Sequence, residues 1–437
     1  MIYLDIFPLI LFLSLAAMLP LLIIAVNKIT ERERVISPLG KIQLPSVQSV
    51  KTGPVIALNS NEKITELELE LSIARELQRK FIPLNTDTGG NRLNYGSEET
   101  DFCSFFVYYK GAKEMSGDFI DYKDLDGRHY AIIKCDIAGK GISAAFIMAQ
   151  IAAMFRIFFK NWKYGDDEYT INKFVYKVNN YIEELSFESR FAAFTICLLD
   201  SHTGNLEVSS AGDNILHIYS ESGRRLKSIF LSDSPAAGIL PIEMIEKAGG
   251  YKVRKLNMEK GDMLIMYTDG IDEAKRRFRD SNFSLSPCCE GEIDSPHGNH
   301  YSGQADEEIG HERVDEIINA VMKKRKYTLY KWHNPEGDNK ELYFDFRSSN
   351  SSTEDVILAL ISIEKMFRCY KDPGAGMENT VQVDRTLDGF LKKYFVQYDE
   401  YCSSARDLSK NSKYIEYCCL SEDEQYDDLT ILGIMRK

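Results

Sequence analysis

The sequence lacks the patterns of several common kinds of site. Its nine cysteines are scattered, with no CxxC pair and no His/Cys cluster at zinc-binding spacing. That excludes a zinc site of the usual spacing and leads us to expect reduced thiols. The formal net charge of −13 is offset by no basic stripe, which excludes a general nucleic-acid binder. We therefore expect no nucleic-acid partner.

The usual signs of nucleophilic catalysis by a side chain are also missing. There is no G-x-S-x-G elbow and no convincing pairing of cysteine with histidine. His129, His202 and His217 lie in or near predicted strands and turns, where structural roles are favoured. The composition, with 44% hydrophobic and 27% charged residues, is globular. A chain of 437 residues can hold a membrane segment, a linker and one large or two ordinary domains.

A long apolar run stands near the N-terminus. Residues 6–26 are apolar apart from Ser14, with prolines only at 8 and 20. About 20 such residues span a bilayer, so we predict a transmembrane helix over 6–27. A cleavable signal peptide fits less well, because the preceding residues include Asp5 and no Lys or Arg. A buried core helix is disfavoured by the terminal position and the nearly uniform apolarity.

Basic residues follow this run, at Lys28, Arg32 and Arg34. The positive-inside tendency then predicts a single-pass inner-membrane protein whose remaining residues are cytoplasmic. Residues 28–61 are mixed, polar and interrupted by three prolines, and we predict a linker there.

An amphipathic helix is predicted over 62–83, with Asn61 as its N-cap and Pro83 at its end. Its apolar positions recur every three or four residues, at Ile64, Leu67, Leu71, Ala74, Leu77 (or Gln78) and Phe81. Two interpretations remain open. The helix packs on its own domain, or it is a signalling helix that pairs with its twin in a homodimer.

Residues 95–437 are predicted to form one elaborated domain of the α+β class. We predict helices at 143–160 and 169–185, the first so apolar that it belongs in the core. Strands are predicted at 105–109, 118–125, 129–137, 191–199, 206–210, 217–219, 263–267 and 429–435. Runs of strands separated by two consecutive helices favour layers of antiparallel sheet and helix.

The segment 276–425 has a different character and is predicted to elaborate this domain. Residues 279–306 are rich in Ser, Pro, Gly and acids and suggest a mobile loop. Helices are predicted at 311–324 and 353–368, whereas 369–425 has no clear strand pattern. The sequence does not define a role for this segment.

Four short acidic motifs stand at or near the ends of the predicted strands. They are Ser116–Phe119 (SGDF), Asp136–Gly141 (DIAGKG), Tyr267–Gly270 (YTDG) and Asp427–Thr430 (DDLT). Carboxylates gathered around one cleft supply the oxygen ligands that Mg²⁺ and Mn²⁺ prefer. Two such ions activate a bridging water and clamp the oxygens of a phosphoryl displacement. Each aspartate alone is explained by a turn or a cap, but the four together predict a two-metal site.

Further segments accompany these motifs in order: Ala144-Ala145, Arg190–Ala192 (RFA), Ala211-Gly212, Gly261-Asp262 and Glu273-Ala274. Together the motifs resemble those of the PPM-type (type 2C) metal-dependent Ser/Thr protein phosphatases, in the stage II sporulation protein E branch. The resemblance covers about 62–275 and 425–437. It implies an antiparallel β-sandwich flanked by helices. The helix ending at 74–78 (ARELQ) is also similar to the linker of sigma-regulatory members.

The resemblance also implies roles for the aspartates. Asp136 would bridge two Mn²⁺ or Mg²⁺ ions, and the backbone carbonyl of Ile137 would bind the second ion. Asp269 and Asp427 would hold the first ion. Asp118 would lie nearby and either orient bound waters or bind an ion directly.

Three positions qualify this assignment. Asp428 falls where relatives carry Asp or Asn, and a supporting role is expected for it. Asp213 stands where relatives often have His after Ala-Gly, so the role of that loop is open. Lys140 either contacts phosphate or is a solvated turn residue.

The spacer from Asp269 to Asp427 is longer than usual, which leaves open a role in gating the substrate or binding a partner.

The leading hypothesis is a membrane-anchored phosphatase that hydrolyses phosphoserine or phosphothreonine on a cytoplasmic signalling protein, such as an anti-sigma-factor antagonist. Metal-activated hydroxide would attack, without a covalent intermediate. The linker helix would pass a signal to the buried helix that begins at Ser143. The alternative is a catalytically silent module of the same fold that binds a phosphoprotein. A sensor ranks lower, because the short N-terminal segment leaves no room for an extracytoplasmic domain.

Overall fold

The computed structural model describes residues 68–113, 115–185, 190–213, 215–231, 233–277, 306–330, 341–371, 380–402, 405–406, 413–418 and 420–437. The predicted transmembrane helix (6–27), the linker (28–61) and the first residues of the predicted helix 62–83 lie outside these ranges. The predicted loop at 279–306 also lies outside them, apart from Asp306.

The helices of the described residues are α1 (residues 68–79), α2 (Ile142–Phe158), α3 (Ile171–Leu185), α4 (Ile242–Lys247), α5 (Gly310–Met322), α6 (Thr353–Arg368), α7 (Arg385–Tyr394) and α8 (Tyr398–Cys402). The first ten strands are β1 (Tyr95–Glu99), β2 (Cys103–Lys110), β3 (Phe119–Asp124), β4 (His129–Ile137), β5 (Ala192–Asp200), β6 (Asn205–Ala211), β7 (Ile215–Ser220), β8 (Arg225–Phe230), β9 (Arg254–Asn257) and β10 (Met263–Tyr267). The later strands are β11 (Lys275–Arg277), β12 (Asp306–Glu308), β13 (Lys326–Tyr330), β14 (Glu341–Asp345), β15 (Cys369–Lys371), β16 (Thr380–Asp384), β17 (Ala405–Arg406), β18 (Tyr414–Cys418), β19 (Leu420–Glu422) and β20 (Leu429–Arg436).

Two antiparallel sheets form the centre of the domain. One has the strand order β1-β2-β20-β10-β7-β8 and the other β3-β4-β5-β6-β9. Side chains of β2 alternate between two cores, as the period of a strand requires. Phe105 and Val107 share a core with the five-stranded sheet, whereas Phe106 and Tyr108 share another with α5 and α6. The predicted α+β fold of antiparallel sheets and helices is confirmed.

Helices cover the outer faces of both sheets. Helices α2 and α3 pack on the five-stranded sheet, and α5 and α6 on the six-stranded one. Within the described residues, Ile142–Asn161 is the one stretch long and apolar enough to cross a bilayer. Its residues Ala144, Met148 and Ile151 are buried in the core between helix and sheet, so packing in a domain core accounts for its composition.

The segment after β11 adds to the six-stranded side. The predicted helices at 311–324 and 353–368 are confirmed as α5 and α6, and α6 is buried along almost its whole length. Arg276 and Arg313 both bind the carboxylate of Glu307, each at 2.5 Å, and all three side chains are buried. These two guanidinium groups lower the pKa of Glu307, although burial acts in the opposite direction. The shared ion pair joins β11, β12 and α5.

The description of 369–425 as lacking a strand pattern was wrong. Strands β15, β16, β18 and β19 and helices α7 and α8 lie there. The strands are short and pair in small sheets, so few residues of each carry a periodic signal. Helix α7 did have one, because Leu387, Phe390, Leu391 and Tyr394 recur every three or four residues and are buried. Its N-cap Asp384 accepts a 2.9 Å hydrogen bond from the backbone of Leu387.

Burial in the sandwich core predicts a large cost for the substitution Ile133→Ala. Ile133 is fully buried in β4, and removing it should lower the free energy of unfolding by about 2–5 kcal/mol. Urea denaturation followed by circular dichroism measures this change. The matched control is Ile157→Ala, at a side chain that is 71% exposed on α2. That variant should stay within about 0.5 kcal/mol of the wild type, and equal losses would contradict the core assignment.

Candidate active site

Strand register brings the predicted aspartates to one end of the sandwich. Phe119 of β3 pairs with Cys135 of β4, so Asp118 lies beside Asp136. In the other sheet, Tyr267 of β10 pairs with Ile431 of β20, so Asp269 and Asp427 also lie at one edge. In antiparallel neighbours, the start of one strand adjoins the end of the next.

A hydrogen bond joins the two sheets at this edge. The hydroxyl of Thr268, between β10 and Asp269, donates to Asp118 Oδ2 at 2.7 Å. Sequence reasoning assigned no role to Thr268, although it stands inside the YTDG motif. The bond fixes the relative position of the β3 and β10 ends.

Like charges lie close together in this region. Burial, followed by Asp427 and Asp428, raises the pKa of Asp136 to about 6. Burial, then Asp136 and Asp427, raises the pKa of Asp269 to about 7. The pKa of Asp118 is raised most by burial and next by Asp136. The predicted ligands are therefore near enough to oppose one another's ionisation.

The chemistry of this donor set fits divalent cations. The carboxylates of Asp136 and Asp269 have no hydrogen-bond or ion-pair partner among the described residues, so their oxygens remain available. The Ile137 carbonyl lies beside Gly117, where a Cβ atom would come within 3.0 Å of it. Every candidate ligand is an oxygen atom, as Mg²⁺ and Mn²⁺ prefer.

The described side chains do not form a ready-made cage. No three acid, histidine or cysteine side chains among them surround one point closely enough to bind an ion. Charges interact over longer distances than coordination bonds, so the raised pKa values and this finding are compatible. Lys140 Nζ stands 2.8 Å from Asp427 Oδ2 and donates to the carbonyl of Tyr426. A cation bound through Asp427 Oδ2 would compete with this ammonium group.

Asp428 braces the loop that carries Asp118. Its carboxylate accepts hydrogen bonds from Ser116 Oγ at 2.6 Å, from the Ala112 amide at 2.7 Å and from the Gly117 amide at 3.2 Å. Three donors leave this carboxylate little capacity for an ion, in agreement with a supporting role.

Arg190 holds the loop after Asp136. Its guanidinium donates to the Ala138 carbonyl at 2.6 Å and to Ser143 Oγ at 2.9 Å. Gly139 has a φ of +92°, and a Cβ there would overlap the guanidinium. Arg190 therefore ties the loop to the start of α2. The RFA motif marked the residue, but its contacts depend on the fold.

Asp213, the residue after Ala211-Gly212, forms an ion pair with Lys134. Its Oδ2 lies 2.9 Å from Lys134 Nζ and accepts a 2.6 Å bond from Thr195 Oγ1. Lys134 also donates to the Tyr267 carbonyl at 2.9 Å. This lysine therefore links β4 to the end of β10, two residues before Asp269. No sequence pattern indicated Lys134 or Thr195.

A cavity of about 240 Å³ adjoins Asp269 and is lined by Lys134, Asp213, His217, Asp272 and His311, among others. The His217 ring stacks on Tyr267 at 5.0 Å. Burial, then the cations Lys134 and His311, lowers the pKa of His217 to about 4. His217 is therefore neutral at physiological pH and packs as an aromatic ring.

Helix α1 contacts the same loop as Asp428. Gln78 Nε2 donates to the Ser116 carbonyl at 2.6 Å, and the Ser116 amide donates to Gln78 Oε1 at 3.2 Å. Gln78 is buried, whereas Leu69, Ile73 and Leu77 are 61%, 54% and 53% exposed. Of the two positions left open on this helix, Gln78 faces the domain and Leu77 faces solvent.

Residues 126–309 match the family described as Stage II sporulation protein E (SpoIIE). The resemblance drawn from the motifs is confirmed. The matched segment includes Asp136 and Asp269, and Asp118 and Asp427 lie outside it.

Two curated relatives share parts of the sequence. Protein IcfG of Synechocystis sp. is 26% identical over 56% of this chain and 38% of its own length. Phosphoserine phosphatase RsbU of Bacillus subtilis is 27% identical over 48% of this chain and 55% of its own length. The chain thus spans about half the length of these relatives or less. Residues 126–309 are thus related in sequence to the SpoIIE family, and about half of the chain is similar to RsbU.

Among solved structures, the SiaA-PP2C domain of Pseudomonas aeruginosa is 14% identical. It covers 86% of this chain and 98% of its own, with a TM-score of 0.43. The evidence for the fold is the register of the strands and the composition of the core, and not this similarity.

The low pKa of His217 predicts a loss of stability in mild acid. The folded state keeps this ring neutral down to about pH 4, whereas the unfolded chain protonates it near 6.5. The stabilisation is complete above pH 6.5 and is lost as the pH falls toward 4, by up to about 3 kcal/mol. His217→Phe keeps a ring against Tyr267 without this titration. Urea unfolding at pH 7 and pH 4.5 should show a smaller acid loss in the variant, and parallel losses would contradict the assignment.

Proposed function

We propose that this protein is a metal-dependent phosphoprotein phosphatase that acts on phosphoserine or phosphothreonine. The observation that supports it best is the convergence of Asp118, Asp136, Asp269 and Asp427 at one edge of the sandwich. The two available carboxylates, at 136 and 269, stand between side chains that are already hydrogen-bonded. Carboxylates without a donor of their own supply the oxygen ligands that Mg²⁺ and Mn²⁺ prefer.

Each residue has a distinct part in this proposal. Asp136 would serve as a ligand to both ions and the Ile137 carbonyl as a ligand to the second, while Asp269 and Asp427 would hold the first. Two Mn²⁺ or Mg²⁺ ions would supply the activated water and the charge that phosphoryl transfer requires. Asp118, fixed by Thr268, orients water at the centre.

No side chain is required as a nucleophile. The Ser116 and Thr268 hydroxyls both donate to carboxylates, at 2.6 and 2.7 Å, and none of the described histidines is hydrogen-bonded to either. Direct attack by water, without a phosphoenzyme, is therefore the reaction we assign.

The substrate and the location are further parts of the proposal. The name of the RsbU relative, a phosphoserine phosphatase, supports phosphoserine as the group that is hydrolysed. We propose a phosphorylated regulatory protein of the anti-sigma-factor antagonist type as the substrate. The apolar run at 6–26 supports anchoring in the inner membrane, with the phosphatase domain in the cytoplasm.

We also propose a homodimer through helix α1. Leu69, Ile73 and Leu77 are exposed, and their spacing of four residues places them in one row on the helix. This row offers an apolar surface to a second helix. The opposite side of α1 contacts the Asp118 loop through Gln78. Pairing of two α1 helices would therefore shift the Asp118 loop through its direct contact with Gln78.

Removing a central carboxylate should abolish hydrolysis. With Mn²⁺ and p-nitrophenyl phosphate, Asp136→Ala and Asp269→Ala should each lose roughly a hundredfold or more in kcat/KM, because several kcal/mol of stabilisation depend on the ions. The control Asp101→Ala changes an exposed aspartate in the turn before β2 and should keep wild-type activity. A wild-type protein inactive with every divalent ion would instead favour the silent binding module.

A charge in the exposed stripe of α1 should break the dimer. Ile73→Glu should convert the full-length protein in detergent from dimer to monomer, because an ionised carboxylate in an apolar interface is costly. Size-exclusion chromatography with light scattering measures the change. Lys80→Glu, at an exposed position just after α1, is the matched control. A dimer that survives Ile73→Glu would refute this interface.

A further inference from the structure

A basic cavity lies between helix α1 and the segment inserted after β11. Its volume is about 620 Å³, within the range of small-molecule sites. Five basic residues line it: Arg75, Arg79, Lys110, Lys113 and Lys413. Glu76 and Glu422 are the acidic residues of its lining. The lining therefore carries three more positive than negative charges, although the whole chain has a net charge of −13.

The two acids offset the charge of these cations only in part. Glu422 is bound by Lys365 and, at 3.2 Å, by Arg368 Nη1, so its charge is already shared. Glu76 lies 4.0 Å from Arg79 Nε, which is beyond hydrogen-bond distance. That buried Nε atom has no hydrogen-bond acceptor. Arg79 thus keeps an unused donor beside the cavity.

Two lysines of the lining lack anionic contacts of their own in the described part of the chain, and Lys413 Nζ lies over the Tyr414 ring, 5.3 Å from its centroid. Among the described residues, the ammonium groups of Lys110 and Lys413 have no hydrogen-bond acceptor and no ion-pair partner. Burial, then Lys365 and Arg368, lowers the pKa of Lys110 to about 8. Burial, then Arg79, lowers the pKa of Lys413. A bound anion would relieve both the desolvation and the repulsion.

We propose that this cavity binds a phosphorylated small molecule carrying at least two phosphates. The cations come from three separate elements: α1, the end of β2 with its following loop, and the start of β18. A diphosphate can contact several of them together, and guanidinium and ammonium groups both bind phosphate oxygens strongly. The proposal does not depend on the phosphatase activity.

The cavity is distinct from the metal centre but mechanically close to it. None of Asp118, Asp136, Asp269 and Asp427 lines it. Gln78 and Ser116 do, and these are the residues that join α1 to the Asp428 brace. A ligand here would therefore press on the loop that positions Asp118, which makes the cavity an effector site.

The test is isothermal titration of the full-length protein with inorganic pyrophosphate. Protein and buffer are passed over chelating resin, so that the acidic centre holds no ions and repels phosphate. We expect saturable binding that weakens with added salt. Lys110→Gln and Lys413→Gln should each weaken it about tenfold or more, the effect of one charged hydrogen bond. Titration with ADP and with adenosine shows whether a base adds to the affinity of the phosphates.

Three control proteins make the result specific. Lys413→Arg keeps the charge and should retain binding. Lys255→Gln, at an exposed lysine on β9, should bind like the wild type. Asp136→Ala should also bind normally while failing to hydrolyse aryl phosphate, which separates this proposal from the catalytic one. Three results would overturn the proposal. They are no binding of pyrophosphate, binding by both glutamine variants as tight as that of the wild type, and binding of a phosphoserine peptide without binding of pyrophosphate.

Discussion

Repulsion between carboxylates gathered at one end of a sandwich is the constraint on which this site depends. Asp118, Asp136, Asp269, Asp427 and Asp428 lie within electrostatic reach of one another. The fold compensates some of them with donors: a hydroxyl for Asp118, two amides and a hydroxyl for Asp428, an ammonium group for Asp427. Asp136 and Asp269 receive none from the residues that the structure describes. Asp136 and Asp269 are therefore the acids that could bind a cation without displacing a hydrogen-bond donor or an ammonium group.

Antiparallel pairing is what makes such crowding possible. Each sheet contributes the start of one strand and the end of its neighbour, β3 with β4 and β20 with β10. Residues more than a hundred positions apart thereby meet at one edge. Thr268 and Lys134 then connect the sheets across this edge, so the geometry of the site depends on how the sheets pack. Core packing and site geometry are for that reason coupled.

The sequence alone was sufficient to predict the helices and strands whose apolar residues recur with a clear period or form a long run. Strand β4 and helices α2 and α6 have apolar runs long enough to define them, and the acidic motifs mark strand ends. Edge strands β8 and β9 were missed because most of their residues are exposed and lack an apolar pattern. Contacts such as Lys134 with Asp213 were not predictable, since each partner alone has no signature. Gln78 was ambiguous for a related reason: helical spacing gives a stripe, but the fold decides which side of the helix it faces.

The strand order of the larger sheet also limits how far this protein can be truncated without loss of the fold. The segment that matches the SpoIIE family, 126–309, omits both β2 and β20. These two strands pair with each other in the interior of that sheet, and β20 also pairs with β10. A fragment trimmed to the homologous limits would therefore expose a bare edge of β10, prone to pairing with other molecules. Any autonomous folding unit has to retain residues from both flanks of the recognisable segment.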